Sequence, residues 1–389
     1  MSAATANPVQ GGVSFRRMRA MARKELLHIV RDPRSLMAAL TQPVLVLLLF
    51  GYALSLDVDR IPTMIYDADR SAESQKLIQT FRGSRYFQIV GEVDSYKPIE
   101  IAMDERRVLV GVAIPPDYSR NLLQGGEAPV QILLDGADSN TASIAMGYAE
   151  GLVQTYARQE RENAQSIRAG SVLQPPVDTE VRVWYNANLE SRNFIVPGLI
   201  GVITMIIAAL LTSLTIAREW ENGTMEQLLS TPVRPIEMAV GKLSAHFLLG
   251  LADMLIALFV GVVIFGVPLQ GNPVLLLFSA CVFLYGALAW GLYISAMFRN
   301  QLAAYQMGTL TSFLPAFLLS GFIYPLSNMP WIIRMISFVI PARYFIDMAK
   351  GIFLKGIGFR LLWFDLLLLG LYAVGISILA VRKLRQKVA

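Results

Sequence analysis

Cysteine, histidine and charged residues are all scarce in this chain. Its 389 residues include one cysteine, Cys281, so an intrachain disulfide and a cysteine-ligated metal site are excluded. The two histidines, His28 and His246, lie far apart in sequence, which disfavours a histidine-rich metal site. Only 16% of the residues are charged, against about one quarter in soluble domains, and 54% are hydrophobic. The chain is therefore too apolar to be soluble throughout.

Long charge-free runs predict six membrane-spanning helices. A bilayer core of about 30 Å needs about 20 apolar residues in helical form, because backbone polar groups must be satisfied within the segment. The run near 254–298 is too long for one span, and the turn signal at 267–273 divides it into a helical hairpin. The predicted spans are 35–56, 194–217, 243–266, 274–298, 303–324 and 362–381. The first is too long for a cleavable signal peptide, so we expect it to remain as an anchor.

Lysine and arginine residues near the spans indicate the orientation. Residues 1–34 hold seven basic and two acidic residues, and the tail after Val381 holds four basic residues and no acid. Both termini, including the tail 383–389, are therefore predicted to be cytoplasmic, and residues 57–193, with 14 basic and 20 acidic residues, to face outward. Five basic residues in the predicted outer loop before the last span do not fit this orientation. We base the orientation on the larger number of basic residues at the termini and in the predicted cytoplasmic loops.

The outward segment 57–193 is long enough for a domain with its own core. Alternating strand-like and helix-like runs predict an α/β structure. The predicted strands are 62–66, 86–93, 108–114, 130–134 and 180–184, and the predicted helices are 71–81, 96–106, 117–123 and 141–167. Asp67 and Asp69 follow the first strand; a ligand site is one interpretation, but capping of the next helix is favoured. The domain shows no catalytic constellation.

The segment 1–34 is predicted to carry a basic amphipathic helix over 15–34. Asp32-Pro33 breaks this helix before the first span begins. Its apolar side would consist of Phe15, Met18, Ala22, Leu26 and Ile29. Such a helix lies in the plane of the membrane interface. A plain positively charged flank of the first span is the alternative interpretation.

The predicted cytoplasmic loop 217–242 contains a short helix. Asn222-Gly223 predicts a turn, Thr224 is available as the N-cap of the helix that follows, and Pro232 ends it. The helix would present an acidic face of Glu219, Glu221 and Glu226 and an exposed apolar strip of Met225, Leu228 and Leu229. Such a strip favours docking of a cytoplasmic partner over a merely solvated loop.

The outer segment 322–360 is too apolar for a free loop and too interrupted by proline for one span. A re-entrant pair of short helices accounts for both properties. Within it, Arg343 and Asp347 lie four residues apart and are predicted to pair on one helix face.

Two groups of residues could line a translocation pathway. Asp253 is an ionisable residue in a predicted span; it either lines the pathway or binds a coupling proton, or it is a polar anchor between packed helices. The aromatic residues Phe313, Phe317, Phe322, Tyr324 and Trp331 either line an apolar pathway or serve as packing and interfacial residues.

Several of these segments resemble a known family. The motif Arg218-Glu219-x-Glu221-x-Gly223-Thr224-x-Glu226-x-Leu228 closely resembles the cytoplasmic loop of ABC-2 type transporter permeases. The stretch from Gly321 to Gly351 resembles their C-terminal signature, and Lys24-Glu25-Leu26-Leu27 followed by Arg31-Asp32-Pro33-Arg34 resembles their interfacial helix. The outer segment, with Ile65-Tyr66-Asp67-Ala68-Asp69, is similar to that of the bacterial efflux subgroup with a large domain between the first two spans.

The resemblance implies an export permease of the bacterial inner membrane that moves amphipathic or drug-like compounds and works as a dimer with an identical or a sibling permease. The cytoplasmic loop would couple the permease to a separate ABC ATPase subunit. The coupling residues would be Arg218, Glu219, Glu221, Gly223, Thr224, Glu226, Leu228 and Leu229. Glu25, Arg31 and Asp32 would belong to the interfacial helix.

Ligands and partners follow from the same resemblance. The sequence has no Gly-x-x-x-x-Gly-Lys-[Ser/Thr] loop, so we expect the chain to bind no cofactor and ATP with Mg to bind the partner ATPase. Membrane lipid and a periplasmic membrane-fusion adaptor are further expected partners, and nucleic acid is not.

Other classes of protein fit the sequence less well. A receptor or scaffold with an outer sensor domain needs one or two spans, and six are hard to explain without a pathway. A membrane enzyme is disfavoured because a catalytic set is missing. A self-powered secondary transporter would show repeated halves, whereas the large segment after the first span makes the halves unequal.

Overall fold

The computed structural model describes residues 13–53, 60–124, 126–137, 139–169 and 190–388. The chain divides into two compact units, one formed by 1–55 with 183–389 and the other by 56–182. The helices of the first unit are α1 (Phe15–Arg31), α2 (Pro33–Ala53), α7 (Ser191–Glu221), α8 (Thr224–Leu229), α9 (Pro235–Phe259), α10 (Pro273–Met297), α11 (Gln301–Leu318), α12 (Trp331–Ser337), α13 (Pro341–Lys355) and α14 (Phe359–Val388). The second unit contains β1 (Ile61–Asp67), α3 (Ala72–Gly83), β2 (Phe87–Val93), α4 (Lys97–Asp104), β3 (Val110–Ile114), α5 (Tyr118–Leu123), β4 (Gln131–Leu134) and α6 (Ser139–Ala169).

Helix α7 forms the centre of the helical unit. It packs against α2, α9, α10, α11 and α13. In its most apolar stretch of 18 residues, 78% is buried inside the protein. A helix that is apolar on all sides belongs in such a central position. Small residues let the neighbours approach closely: a Cβ atom at Gly198 would come within 2.3 Å of the Phe322 ring. The core of this unit is therefore built around one largely buried helix.

Within the described residues, five helices are long and apolar enough to cross a membrane. They are Leu36–Ala53, Ser191–Glu221, Pro235–Ile264, Pro273–Met297 and Phe359–Gln386, and each covers one predicted span. The Pro235–Ile264 segment comprises α9 and a π-helical turn, Val260–Ile264. The remaining prediction, 303–324, falls on the 18-residue α11, which ends at Leu318 and is not among the five. The count of six spans stays a prediction.

Two short helices follow α11, as the proline pattern predicted. Helix α13 is largely buried, whereas α12 exposes apolar side chains, among them Trp331 with 74% of its surface accessible. The predicted ion pair of Arg343 and Asp347 is wrong. Arg343 Nη1 instead donates to Ser337 Oγ at 2.6 Å, and its guanidinium carbon lies 4.0 Å from the centroid of the Phe338 ring. Arg343 lies in the first turn of α13, so its long side chain reaches the end of α12.

The second unit is an α/β structure with a four-stranded sheet in the order β2-β1-β3-β4. Strand β1 pairs parallel with both β2 and β3, and β4 pairs antiparallel with β3 at the edge. All five residues of β3 are buried, as expected for a strand covered on both faces. Four predicted strands and all four predicted helices are confirmed within a few residues. The fifth predicted strand, 180–184, lies outside the described residues.

The acidic residues Asp67, at the end of β1, and Asp69 serve turn geometry, and the predicted cap of the next helix is supplied by Ser71. Asp67 Oδ1 accepts hydrogen bonds from the N–H groups of Asp69 and Arg70 at 3.1 and 3.0 Å. Asp69 accepts from the backbone and the hydroxyl of Ser119 at 3.1 and 3.0 Å. Ser71 caps α3 in a reciprocal pair with Ser74. These carboxylates therefore hold the loop that connects β1 to α3.

Candidate functional site

The segment between α7 and α9 folds as a tight turn followed by α8. Gly223 adopts φ +70°, a left-handed conformation that favours glycine, and it is the N-cap of α8. The prediction that Thr224 caps this helix is therefore wrong. The Thr224 hydroxyl instead donates to Glu219 Oε2, one turn back at the end of α7. This bond ties the first residue of α8 to the helix that precedes it.

The apolar side chains of α8 point largely into the protein. Met225 is fully buried and Leu228 is 9% exposed, because residues three apart lie on the same side of a helix. The predicted exposed apolar strip is therefore wrong for these two residues. Leu229 remains 36% exposed, and Glu226 and Gln227 are exposed beside it. The outward face of α8 is thus polar, with one leucine.

A buried lysine connects four helices at this place. Lys242 in α9 has a side chain that is 1% exposed; its Nζ atom is bonded to Glu25 Oε1 of α1 and lies 3.3 Å from Glu219 Oε1 of α7. Lys24 Nζ reaches the same Glu219 oxygen at 2.8 Å. A buried charge is tolerated only when it is paired and hydrogen-bonded. Together with Thr224, these side chains form a cluster, here called the Lys242 cluster, that joins α1, α7, α8 and α9.

A second ionic contact joins the beginnings of α1 and α9. Glu237 accepts from Arg17 Nε at 2.8 Å and Nη2 at 2.7 Å, and from the backbone N–H groups of Ser14 and Arg234 at 2.7 and 3.0 Å. The hydrogen bond that Arg17 donates to the Glu237 carboxylate raises the pKa of the Arg17 guanidinium. Arg17 and Glu237 were not singled out in the sequence; the only signal was the position of Glu237, three residues after Arg234, as in a capping box.

Helix α1 packs against α9. Its buried residues are Met21 and Glu25, while Phe15 is 75% exposed. Gly241 makes the approach possible, because a Cβ atom there would lie 2.5 Å from Met21 Cβ and 3.0 Å from the Met18 carbonyl oxygen.

The remaining residues of the loop motif contact the start of α11. Glu221 Oε2 accepts from the backbone N–H of Gln301 at 2.7 Å, and Arg218 Nε lies 3.4 Å from Gln301 Oε1. Glu219 and Glu221 therefore bond to neighbouring helices, and of the predicted acidic face Glu221 and Glu226 are exposed while Glu219 is half-buried. At the end of α1, Arg31 is exposed and the Asp32 N–H donates to the Ile29 carbonyl at 3.3 Å.

The residues predicted to line a pathway do not form one group. Phe317 lies in a ring cluster, with centroids 6.3 Å from Phe50, 5.2 Å from Phe313 and 5.8 Å from Phe322. Phe322 is buried, whereas Tyr324 and Trp331 are 59% and 74% exposed.

Asp253 lies elsewhere in the unit, among side chains that include Ile203, Met254 and Leu284. It is 5% exposed, and within the described part of the chain neither carboxylate oxygen has a hydrogen-bond partner. It does not take part in the Phe317 ring cluster.

Comparison with known proteins identifies the class to which this arrangement belongs. The model of a family described as ABC-2 family transporter protein matches residues 34–382. Over 351 residues the chain is 38% identical to the "Probable multidrug ABC transporter permease YbhS" of Escherichia coli (strain K12), covering 90% of this chain and 91% of that protein. It is 33% identical over 350 residues to the "Probable multidrug ABC transporter permease YbhR" of the same strain, covering 90% and 93%. The "Inner membrane transport permease YhhJ" of that strain is 26% identical over 351 residues, covering 86% and 89%.

The helical unit with its several apolar helices is that of a multi-pass membrane permease. The chain belongs to the ABC-2 family of transporter proteins. As a permease of an ABC transporter it is not an enzyme, and the ATPase is a separate subunit. This comparison confirms the resemblance to ABC-2 type transporter permeases that the sequence motifs indicated.

Proposed function

We propose that this chain is the permease of an ABC exporter and that α8 docks on the ATPase subunit. The observation that carries the proposal is the Lys242 cluster. It bonds Thr224 of α8 and Glu219 of α7 to α1 and α9, so a displacement of α8 is transmitted to all three helices. The exposed residues Glu226, Gln227 and Leu229 supply the docking face. No other segment of the described residues combines the family motif with such a linkage.

The exported compounds are amphipathic or drug-like molecules, taken from the cytoplasm or the inner membrane. Support comes from two relatives whose names include the words multidrug ABC transporter permease. The apolar character of the spans and the Phe317 ring cluster are compatible with such cargo. Phe317, Phe322, Tyr324, Trp331 and Asp253 remain the proposed pathway residues.

The proposed arrangement in the membrane has six spans, with α11 as the fifth, and both termini in the cytoplasm of a bacterium. Residues 57–193 then form an extracytoplasmic domain that is available to a membrane-fusion adaptor, and 322–360 form the re-entrant outer segment. A second permease, identical or sibling, completes the transporter. The basic residues of 1–34 and of the tail 383–389 support this orientation.

The proposed mechanism is a shift between two packings of the spans. ATP with Mg, bound by the ATPase subunits, brings those subunits together and moves each docked α8. Because the Lys242 cluster links α8 to α1, α7 and α9, the helices move with it, and the inward-facing packing is exchanged for the outward-facing one. A ligand shifts such an equilibrium only by its different affinity for the two states, so coupling requires that α8 bind the ATPase differently in each.

Charge reversal at the docking face tests the proposal. In a transporter reconstituted with its ATPase, we expect Glu226→Arg to abolish substrate-stimulated ATP hydrolysis, because the exposed carboxylate is replaced by an opposite charge where the two subunits meet. Glu100→Arg in α4 is the matched control: its side chain is 58% exposed, and it should leave the stimulation unchanged. Unchanged transport by a folded Glu226→Arg variant would contradict the docking role.

A further inference from the structure

A cavity of about 710 Å³ lies in the helical unit between α1, α2, α7, α8 and α9. Its lining changes character from one part to another. Leu36 and Ala39 of α2, Leu211 and Leu214 of α7 and Leu249 of α9 form an apolar wall. Polar and charged side chains, among them Lys24, His28 and Arg218, line the remainder. A volume of this size suits a small molecule that has both an apolar and a charged part.

The charge that the cavity offers to a ligand is positive. Three carboxylates line it: Glu25 and Glu219 have side chains that are only 10% and 12% exposed and are both paired with Lys242, and Asp32 is half-buried. Lys24 also pairs with Glu219, but its side chain is 49% exposed. Arg218 is exposed, and its hydrogen bond goes to the neutral amide oxygen of Gln301. Glu25 and Glu219 are thus neutralised inside the protein, while the cationic groups of Lys24 and Arg218 remain accessible.

A basic surface leads to the cavity. The adjoining groove along α1 shares Lys24, His28 and Asp32 with the cavity lining. Four arginines line the same groove: Arg16, Arg19, Arg23 and Arg31. A surface with one sign of charge attracts and concentrates ions of the opposite sign. Among the described residues that line this groove Asp32 is the single acid, so the approach to the cavity favours anions.

We propose that this cavity binds an amphipathic anion. Its anionic head lies between Lys24 and Arg218, and its apolar chain lies along Leu36, Leu214 and Leu249. The proposal deepens the proposed function and rests on it, since it names a site and a charge for an amphipathic compound. An anionic phospholipid and an exported anionic compound share this chemistry, and the experiment separates the two sources.

Binding is measured on the full chain alone, in nanodiscs of phosphatidylcholine, without the ATPase. The probe is dansyl-undecanoate, and its trimethylammonium counterpart of equal chain length is the cationic comparison. We expect saturable binding of the anionic probe. Arg218→Gln should weaken it by about tenfold, because a charge-assisted contact is lost, and Arg218→Lys should retain most of the affinity. Leu214→Trp should weaken it by about tenfold, because the indole fills the apolar part.

Two matched variants control for general effects of the substitutions. Arg382→Gln removes an exposed arginine of α14, and Leu248→Trp alters a leucine of α9 that is 55% exposed and outside the cavity lining. Both should bind the probe as the unmodified chain does. Equal binding by all variants, unsaturable binding, or a preference for the cationic probe would each overturn the site. None of these results involves the ATPase, so they leave the docking role of α8 untouched.

A competition measurement identifies the source of the anion. If phosphatidylglycerol added to the nanodisc displaces the probe, the site binds membrane lipid. If it does not, and the probe stimulates ATP hydrolysis by the complete transporter while Arg218→Lys retains that stimulation, the anion is an exported compound. Absence of both effects would overturn the proposal.

Discussion

Lys242 Nζ lies 3.3 Å from Glu219 Oε1, so α9 is bonded to the last turn of α7. The same amine is bonded to Glu25 of α1, and Glu219 also accepts from Thr224 at the start of α8. One buried cation thus holds the positions of the helices on either side of α8. This relationship explains why Glu219 belongs to the loop motif although it is only partly accessible to a partner.

Removal of the buried amine should destabilise the helical unit. We expect Lys242→Met to lower the free energy of unfolding by about 3 kcal/mol, because Glu25 and Glu219 are left without their buried partner. Unfolding by sodium dodecyl sulfate in mixed micelles measures the change. Adding Glu25→Gln should recover part of the loss, since it removes the carboxylate that is left unpaired, whereas Glu219 keeps its contact with Lys24. If Lys242→Met alone is as stable as the unmodified chain, the cluster contributes nothing to stability.

The left-handed conformation of Gly223 should make this position sensitive to the shape of the residue. A Cβ atom there meets nothing within 4 Å, so steric crowding by neighbours plays no part and only the backbone conformation matters. We expect Gly223→Val to cost about 1–2 kcal/mol locally, and Gly223→Asn to cost less, because asparagine visits this conformation more readily. Hydrogen exchange over residues 222–230, with ATPase stimulation as a second readout, measures both. Equal exchange rates in the two variants would contradict the argument.

Asp253 offers a test of its two interpretations. A buried carboxylate without a hydrogen-bond partner costs free energy, so Asp253→Leu should raise the free energy of unfolding by about 1 kcal/mol. Stability in mixed micelles and transport in vesicles are measured on the same preparation. Greater stability together with lost transport identifies a residue used in the pathway, as expected where function opposes stability. Lower stability would instead identify a polar anchor between helices.

The α/β unit should lose stability at high pH. Burial is the main reason why the pKa values of the Tyr118 and Tyr156 hydroxyls are raised. The Tyr156 hydroxyl donates to the Glu73 carbonyl oxygen at 3.3 Å. In the unfolded chain the tyrosine hydroxyl has a pKa of about 10. Above that pH the unfolded state binds fewer protons than the folded state, so the free energy of unfolding falls as pH rises. Pulse proteolysis in urea at pH 8 and at pH 10.5 measures the fall.

The matched variant for this measurement carries Tyr118→Phe together with Tyr156→Phe. It should lose less stability between the two pH values, because both buried hydroxyls are gone. An identical loss in the variant and in the unmodified chain would show that other groups are responsible.

Much of the fold could be predicted because it depends on local pattern. Five long apolar helices and the alternation of strands and helices in the α/β unit follow from hydrophobic periodicity. The limits appear where two local signals compete. Helix α11 contains Gln301 and Gln306 beside its apolar residues, and it ends at Leu318, six residues before the predicted boundary.

The contacts of the site could not be predicted in the same way. Lys242 and Glu25 are 217 positions apart, and Arg17 and Glu237 are 220 apart. Charge alone does not say which acid a lysine meets. The inward direction of Met225 and Leu228 was missed for a related reason: a six-residue helix shows an apolar side, but the sequence does not say what covers it.

The amino-acid sequence by itself determined where this chain is apolar enough to cross a membrane and where the loop motif of its family lies. Those properties depend on residues that are close together along the chain. Only the tertiary structure decided that Lys242 is the buried partner of Glu25 and Glu219, that Gly241 admits α1 against α9, and that α8 turns its apolar side inward. Each of these depends on which helices become neighbours, and packing of the whole unit sets that choice.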